Sequence, residues 1–288
     1  MVRIAHLSDL HMETAPEARI PGVRRALRES AALIRQASPD WIVVSGDLTS
    51  YGSADPAQLR EAQRWLNDLG IPYLVVPGNH DLGANAPRGQ RYPDSEYYHA
   101  GPWSSTHFAQ VFDQRPVVVE QVGPLRLIGM ALREGDPDGV LDTVRTELAA
   151  SDRPTVLIGH YPLIPVQSQG VLATFGEDFV PQVGRALRAL IRAHRHVILY
   201  AAGHVHAVSV LPLPEGPLQI TAGGLGPGAS QWWLYEAGET ALTYESHDGA
   251  GPRTFWDRYV TDGGMTPAYH WNLAYGRRGV IPYVRVSD

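Results

Sequence analysis

Short apolar runs alternate with segments of helical period along the first half of the chain. Glycine and proline end several of them, as at Gly70 and Pro77-Gly78. Apolar runs of this length are typical of buried strands, and apolar residues three and four apart are typical of helices. The predicted elements are strands at 2–7, 41–45 and 73–76 and helices at 20–37 and 56–69. This β-α-β-α-β order predicts parallel strands with helical crossovers, whose carboxyl ends carry the functional loops.

The pattern changes after residue 82. Residues 83–113 are rich in Pro, Gly, Tyr and His, which predicts an inserted loop with a short helix at 106–112. The elements predicted beyond it are a hairpin of 117–122 and 125–130, helices at 140–150 and 179–194, and strands at 155–158, 196–202, 207–213, 218–222, 232–236 and 241–245. The later strands favour a more antiparallel arrangement. We therefore expect an α/β fold, with residues 1–246 as the main domain.

The segment 247–288 differs from the rest in composition. Its seven aromatic residues are Phe255, Trp256, Tyr259, Tyr269, Trp271, Tyr275 and Tyr283. Aromatic side chains bury a large area each. We therefore expect this C-terminal extension to pack on its own domain, to form a homo-oligomer contact with a partner subunit, or to shape the mouth of the site.

Composition excludes several chemistries. There is no cysteine, and all 24 basic residues are arginine, which rules out disulfides, thiolate nucleophiles, Schiff bases and a P-loop lysine. The net charge of −6 argues against nucleic acid as the main partner. The chain begins directly with a predicted strand and has no 18-residue apolar run, so we expect a cytoplasmic protein without a membrane contact.

Polar residues follow five of the predicted strands. The loops are Asp9-Leu10-His11, Gly46-Asp47, Gly78-Asn79-His80-Asp81, Gly159-His160 and Gly203-His204-Val205-His206. In extended chain, residues two apart point the same way, so each of the pairs at 9/11 and 204/206 can face one point. Most of the other side chains directly follow a glycine, which permits a tight turn and a close approach of the backbone.

The donor types indicate a metal centre. Carboxylate, imidazole and carboxamide without thiolate suit divalent ions such as Mn²⁺, Fe²⁺ or Zn²⁺. Seven Asp, His and Asn ligands, which are named in full below, are too many for one tetrahedral ion. They fit two divalent metal ions, about 3.5–4 Å apart, that share a bridging carboxylate.

In this order and spacing, the five blocks resemble the signature of the calcineurin-like metallophosphoesterases. The resemblance implies a four-layer α/β/β/α sandwich of two mixed β-sheets with a dinuclear centre. It places one metal on Asp9, His11, Asp47 and His206 and the other on Asp47, Asn79, His160 and His204, with Asp47 bridging.

The resemblance also implies a mechanism. Water activated by the metals attacks phosphorus as hydroxide, and no amino-acid nucleophile is required. His80 stabilises charge on the phosphate or the leaving oxygen, or donates a proton, and Asp81 orients His80. The run His160-Tyr161-Pro162-Leu163 stands where many similar diesterases have His-His-Pro-Pro. The ligand is kept and its neighbour is changed, a difference that concerns the substrate subgroup.

The order of blocks is most similar to class III cyclic-nucleotide phosphodiesterases and glycerophosphodiesterases, so the expected substrate is a small phosphodiester. A phosphomonoesterase of nucleotides or sugar phosphates uses the same chemistry and is the first alternative. The negative net charge of the chain argues against a nuclease. A non-catalytic scaffold would be expected to have lost some of the ligand residues, whereas this chain has all seven.

Among the other histidines, His6 is expected in the core, and His194 and His196 at a helix end or exposed.

Overall fold

The computed structural model describes residues 1–14, 22–82, 101–166, 180–226, 230–251 and 276–283. Most of the predicted insert and much of the C-terminal extension, with six of its seven aromatic residues, lie outside this range. The strands are β1 (Val2–Leu7), β2 (Trp41–Ser45), β3 (Tyr73–Val76), β4 (Val117–Val122), β5 (Leu125–Met130), β6 (Thr155–Ile158), β7 (Val197–Ala202), β8 (Ser209–Pro212), β9 (Leu218–Thr221), β10 (Gln231–Ala237), β11 (Ala241–Asp248) and β12 (Arg278–Pro282).

Helices connect or follow these strands. They are α1 (Val23–Ala37), α2 (Pro56–Leu69), α3 (Asn79–Leu82), α4 (His107–Phe112), α5 (Val140–Ala149) and α6 (Pro181–Ala193), with a 3₁₀ turn at Trp103–Ser105. The local sequence explains the ends of α2. The Asp55 carboxylate accepts a hydrogen bond from the Ala57 amide at the amino end, and Gly70 with φ of 71° ends the helix. Both are standard caps.

The strands form two mixed sheets. The first has the order β12-β11-β10-β1-β2-β3, and the second has the order β4-β5-β6-β7-β9-β8. β1, β2 and β3 are parallel, as the first-half pattern predicted. In the second sheet β5, β6, β7 and β9 are parallel, and the hairpin β4–β5 is antiparallel. The carboxyl ends of the parallel strands therefore lie along one edge of each sheet.

Three apolar layers hold the elements together. The layer between the two sheets includes Ile4 and Leu127. A second layer lies under α1 and α2 and includes Leu27 and Leu66. A third lies under α5 and α6 and includes Leu187. Two sheets packed face to face, with helices on both outer faces, form the predicted four-layer α/β/β/α sandwich.

The C-terminal part adds a strand that the apolar pattern did not predict. β12 pairs antiparallel with β11, from Arg278 opposite Glu245 to Pro282 opposite Ala241. Ile281 is buried in the layer between the sheets, whereas Val280 is 62% exposed. The described end of the extension thus forms the edge of the first sheet. The domain division at residue 246 stays a prediction.

Three histidines outside the predicted site test the interpretation of the core. His6 is fully buried between the sheets, with Nδ1 2.8 Å from the Tyr235 hydroxyl and Nε2 2.8 Å from the Ser45 hydroxyl. The core prediction is confirmed for it. His194 caps the carboxyl end of α6, as expected. The expectation was wrong for His196, which is 6% exposed, because it directly precedes the fully buried strand β7.

Candidate metal centre

Loops from both sheets meet at the carboxyl edge. The Asp9 amide donates to the Gly46 carbonyl at 3.0 Å, which joins the loops after β1 and β2. The His204 amide donates to Asp9 Oδ2 at 3.1 Å, which joins the two sheets. All seven predicted ligands stand on these loops, so the fold brings them to one place.

The backbone at this edge is unusual. Five of the predicted ligands have positive φ angles: Asp9 (50°), His11 (45°), Asp47 (50°), His204 (69°) and His206 (51°). Side chains other than glycine rarely adopt this left-handed conformation. Its concentration at one edge indicates that the loops are held for function rather than for local stability.

Two glycines allow the close packing. A Cβ atom on Gly78 would lie 2.1 Å from Asp47 Oδ1, and one on Gly203 would lie 1.7 Å from the Ser8 hydroxyl. Neither distance is sterically possible. These positions therefore need glycine so that the backbone can pass directly beside Asp47 and the loop after β1.

The first cluster of donor atoms consists of Asp9, His11, Asp47 and His206, whose ligand atoms lie within 4.8 Å of one another. His206 Nε2 is 3.2 Å from Asp9 Oδ1. His11 Nε2 is 3.1 Å from His206 Nε2 and 3.9 Å from Asp47 Oδ2. These four residues are the set that the resemblance assigned to one ion.

The second cluster consists of Asp47, His160 and His204, again within 4.8 Å. His160 Nε2 is 3.3 Å from Asp47 Oδ2 and 3.2 Å from His204 Nδ1. Asn79 Oδ1 lies 3.2 Å from the same His160 nitrogen. Asp47 is common to both clusters, as expected of a bridging carboxylate.

The donor set fits divalent cations. Asp9 Oδ1 is buried and accepts no hydrogen bond from the described residues, even though His206 Nε2 lies 3.2 Å away. A buried oxygen normally has a hydrogen-bond partner. Burial, with smaller contributions from neighbouring histidines, lowers the pKa of His11 and of His204 well below 6.5. Both imidazoles are therefore neutral near pH 7 and keep a lone pair for a metal.

Asp47 dominates the electrostatics of the second cluster. Burial is the largest single influence on the pKa of His160 and lowers it. The charge and hydrogen bond of Asp47, together with Asp9 and the Ser45 carbonyl, outweigh burial and raise this pKa to about 9. Burial raises the pKa of Asp47, and the surrounding histidines overcome this and hold it well below 3.8. Asp47 is thus an ionised carboxylate that is only 1% exposed. A buried charge of this kind requires positive partners.

His80 lies beside the first cluster. Its ring centre is 4.8 Å from that of His11, and its Nδ1 is 2.9 Å from the Ser50 carbonyl oxygen. A carbonyl only accepts, so Nδ1 carries the proton and Nε2 is left for other partners. The amide of His80 also donates to Asp47 Oδ1 at 2.9 Å.

Asp81 holds the loops rather than the ring of His80. Its carboxylate accepts from the amides of Leu48, Thr49 and Gly78 at 3.0 Å each, and from the Thr49 hydroxyl at 2.7 Å. The expected contact with the His80 ring is not among the hydrogen bonds of the described residues. Burial, and next the Asp47 carboxylate, raise the pKa of Asp81 to about 6.

Residue 161 packs directly against the predicted ligands. Tyr161 is 1% exposed, and its ring lies 5.1 Å from that of His160 and 5.0 Å from that of His204, edge to face in both cases. The Tyr200 hydroxyl donates to the Tyr161 carbonyl at 2.7 Å. Sequence reasoning noted this position as a departure from a pattern but did not predict its contact with two ligands.

A match to a family model identifies the protein family and its class of reaction. Residues 2–207 match the family described as calcineurin-like phosphoesterases. The chain belongs to this family. It is accordingly a metal-dependent phosphoric ester hydrolase with a candidate metal-binding cluster at the edge described above.

Relatives and solved structures agree with this. A probable cyclic nucleotide phosphodiesterase of Synechococcus is 28% identical over 205 residues, which cover 70% of this chain and 72% of that one. GpdQ, a glycerophosphodiester phosphodiesterase of Enterobacter lignolyticus, is 24% identical, with 72% of each chain covered.

The fold is similar to that of a dimetal phosphatase from Danio rerio. The TM-score is 0.63, the identity is 13%, and 98% of this chain and 99% of the other are covered. A purple acid phosphatase from yellow lupin also has a TM-score of 0.63, at 15% identity, over 86% of this chain and 51% of that one.

None of the helices that the structure describes has both the length and the apolar character needed to cross a membrane.

Proposed function

We propose that this phosphoesterase hydrolyses a small phosphodiester, of the cyclic nucleotide or glycerophosphodiester class, at a centre of two divalent cations. The position of Asp47 is the main support. One oxygen, Asp47 Oδ2, lies 3.3 Å from His160 Nε2 and 3.9 Å from His11 Nε2. A buried carboxylate shared by two clusters of donors suits two neighbouring ions better than one.

Asp9, His11, Asp47 and His206 would hold one cation, and Asp47, Asn79, His160 and His204 the other. Oxygen and imidazole donors without thiolate favour manganese, iron or zinc. When bound, the cations supply positive charge for the phosphoryl oxygens and lower the pKa of a water molecule. Asp47 Oδ2 lies between His11 and His160 at that place, and the neutral imidazoles of His11 and His204 would direct their lone pairs to it.

His80 would contact the reacting phosphate group through its ring. Ser50 fixes the proton on Nδ1, so Nε2 accepts or donates on the other side of the ring. From there His80 can stabilise charge on the phosphate or give a proton to the leaving oxygen. Asp81 would support this arrangement through the loop after β2.

The names of the relatives favour a diester. The relatives cited above carry names of diester hydrolases, and each aligns with about 70% of this chain. The metal-supported chemistry itself serves monoesters equally well.

A direct test compares two chromogenic esters with the manganese-loaded enzyme. We expect bis(p-nitrophenyl) phosphate to be hydrolysed with a higher kcat/KM than p-nitrophenyl phosphate. A panel of cyclic nucleotides, glycerophosphodiesters, nucleotides and single-stranded DNA then identifies the class. Preference for p-nitrophenyl phosphate and for nucleotides would overturn the diester assignment in favour of a phosphomonoesterase, and preference for DNA would indicate a nuclease.

A further inference from the structure

A buried carboxylate outside the predicted ligand set is connected to His80. Glu13 lies two residues beyond His11 and is 3% exposed. Its Oε1 accepts a hydrogen bond of 2.7 Å from the hydroxyl of Ser50, which is equally buried. Ser50 is the residue whose carbonyl oxygen lies 2.9 Å from His80 Nδ1. One serine therefore joins Glu13 to the His80 ring.

The loops around Ser50 leave its carbonyl little freedom. Its hydroxyl also lies 3.4 Å from the His11 carbonyl. The Met12 amide donates to the Leu48 carbonyl at 2.9 Å, which joins the loops after β1 and β2. On the other side, the Ser53 amide donates to the His80 carbonyl at 3.2 Å. The loop after β2 thus holds His80 by its ring and by its backbone.

The bond to Glu13, at 2.7 Å, is the shorter of the two bonds given for the Ser50 hydroxyl, since the His11 carbonyl is 3.4 Å away. A hydroxyl rotates freely unless a partner fixes it, and a carboxylate acceptor gives a stronger bond than a neutral one. Burying a carboxylate is costly unless it is hydrogen-bonded, and the Ser50 hydroxyl supplies one such bond to Glu13. The position of the Ser50 peptide decides the direction of the His80 ring and which nitrogen of it carries the proton.

We propose that Glu13 is a positioning residue that acts through Ser50 to hold the His80 ring in its working orientation and tautomer. Glu13 need not contact substrate or metal for this. The inference rests on the proposed function, since it takes His80 to be the group that touches the reacting phosphate. Glu13 and Ser50 would then orient the His80 ring, a role that the sequence had suggested for Asp81.

The test is a double-mutant cycle on the full-length, manganese-loaded enzyme with bis(p-nitrophenyl) phosphate. We expect Glu13→Ala and Ser50→Ala each to lower kcat about tenfold, as for other residues that orient an active-site histidine. KM and the manganese content should stay at the wild-type values. Glu13→Gln keeps an acceptor oxygen at the same place and should recover most of the lost kcat.

The decisive comparison is made in the His80→Ala background. There, Glu13→Ala and Ser50→Ala should each change kcat by less than about twofold, because residues that act through His80 lose their effect without it. A full tenfold loss in that background would overturn the inference, as would a loss carried by KM or by manganese content. The Ser50→Ala arm keeps the test decisive if Glu13→Ala fails to fold.

Two controls separate this inference from its premises. Glu147, which pairs with Arg126 away from the site and is more exposed than Glu13, serves as a carboxylate control, and Glu147→Ala should leave kcat unchanged. If His80→Ala itself has the wild-type kcat, the role of His80 under the proposed function is wrong and the inference is overturned with it. If His80→Ala is impaired and Glu13→Ala is not, the inference alone is wrong.

Discussion

The Asp47 carboxylate lies 3.3 Å from His160 Nε2 and so connects the two sheets at the candidate metal centre. Asp47 follows β2 of the first sheet, and His160 follows β6 of the second. Each is less than 2% exposed. This contact holds one oxygen between the two donor clusters and makes Asp47 the residue on which the centre most depends.

Asp47→Asn tests that dependence. The amide keeps the shape and can still accept from the His80 backbone, but it supplies no shared anionic oxygen. We expect fewer than two metal equivalents per chain. The kcat should fall by at least about a thousandfold, which corresponds to a loss of about 4 kcal/mol of transition-state stabilisation. Metal analysis and bis(p-nitrophenyl) phosphate turnover measure both. Wild-type metal content with a kcat within tenfold of wild type would contradict the shared role.

His80→Ala should separate metal binding from turnover. The ring is not in either donor cluster, so metal content should stay at the wild-type value while kcat falls about 10²- to 10³-fold. His194→Ala is the matched control, because His194 caps α6 outside the donor clusters and should not affect kcat. Loss of metal in His80→Ala would show that the ring serves as a ligand instead.

Tyr161 should affect how tightly the second cluster binds its ion. Its ring packs edge to face on His160 and His204, and the side chain is buried. Tyr161→Ala should weaken metal binding about tenfold, measured by competition with a chelator, and lower stability by about 3 kcal/mol. Tyr161→Phe keeps the ring and should retain most of the metal affinity. Equal metal affinity in the Ala and Phe variants would exclude this packing role.

His6 makes stability depend on pH. Burial lowers its pKa from 6.5 to about 3, so between these values the unfolded chain binds a proton that the folded chain does not. Its contribution is therefore complete above pH 6.5 and is lost as the pH falls toward 3. The stability advantage of the wild type over His6→Gln should shrink by about 3 kcal/mol from pH 8 to pH 4.5, in metal-free protein. A constant difference over this range would contradict the assignment.

The edge strand β12 provides a test of the homo-oligomer contact predicted for the extension. Val280 is 62% exposed on it, and edge strands with exposed apolar residues favour pairing with another chain. Light scattering should give the mass of an oligomer for the wild type and a smaller mass for Val280→Asp. A monomer mass for the wild type would remove this role from β12.

Local patterns predicted much of the fold because the strands are short apolar runs with clear ends. The bounds of β1, β2, β3 and β6 match the predicted ones, and β4–β5 turns at Gly123 as expected. β12 was missed because only Val280 and Ile281 in Arg278–Pro282 are large apolar residues. That strand depends on pairing with β11, which is a tertiary effect.

The sequence by itself determined the element types and the α/β class, since these follow from periodicity. It also placed the metal-capable side chains at strand ends, and the resemblance to a family selected seven of them as ligands. Only the tertiary structure gave the distances from Asp47 to donors of both sheets, the packing of Tyr161 on His160 and His204, and the bonds that join Glu13, Ser50 and the His80 ring. Apart from the contact of Tyr161 with its neighbour His160, these contacts join residues far apart in the chain. Their geometry depends on how the two sheets pack, which no local pattern records.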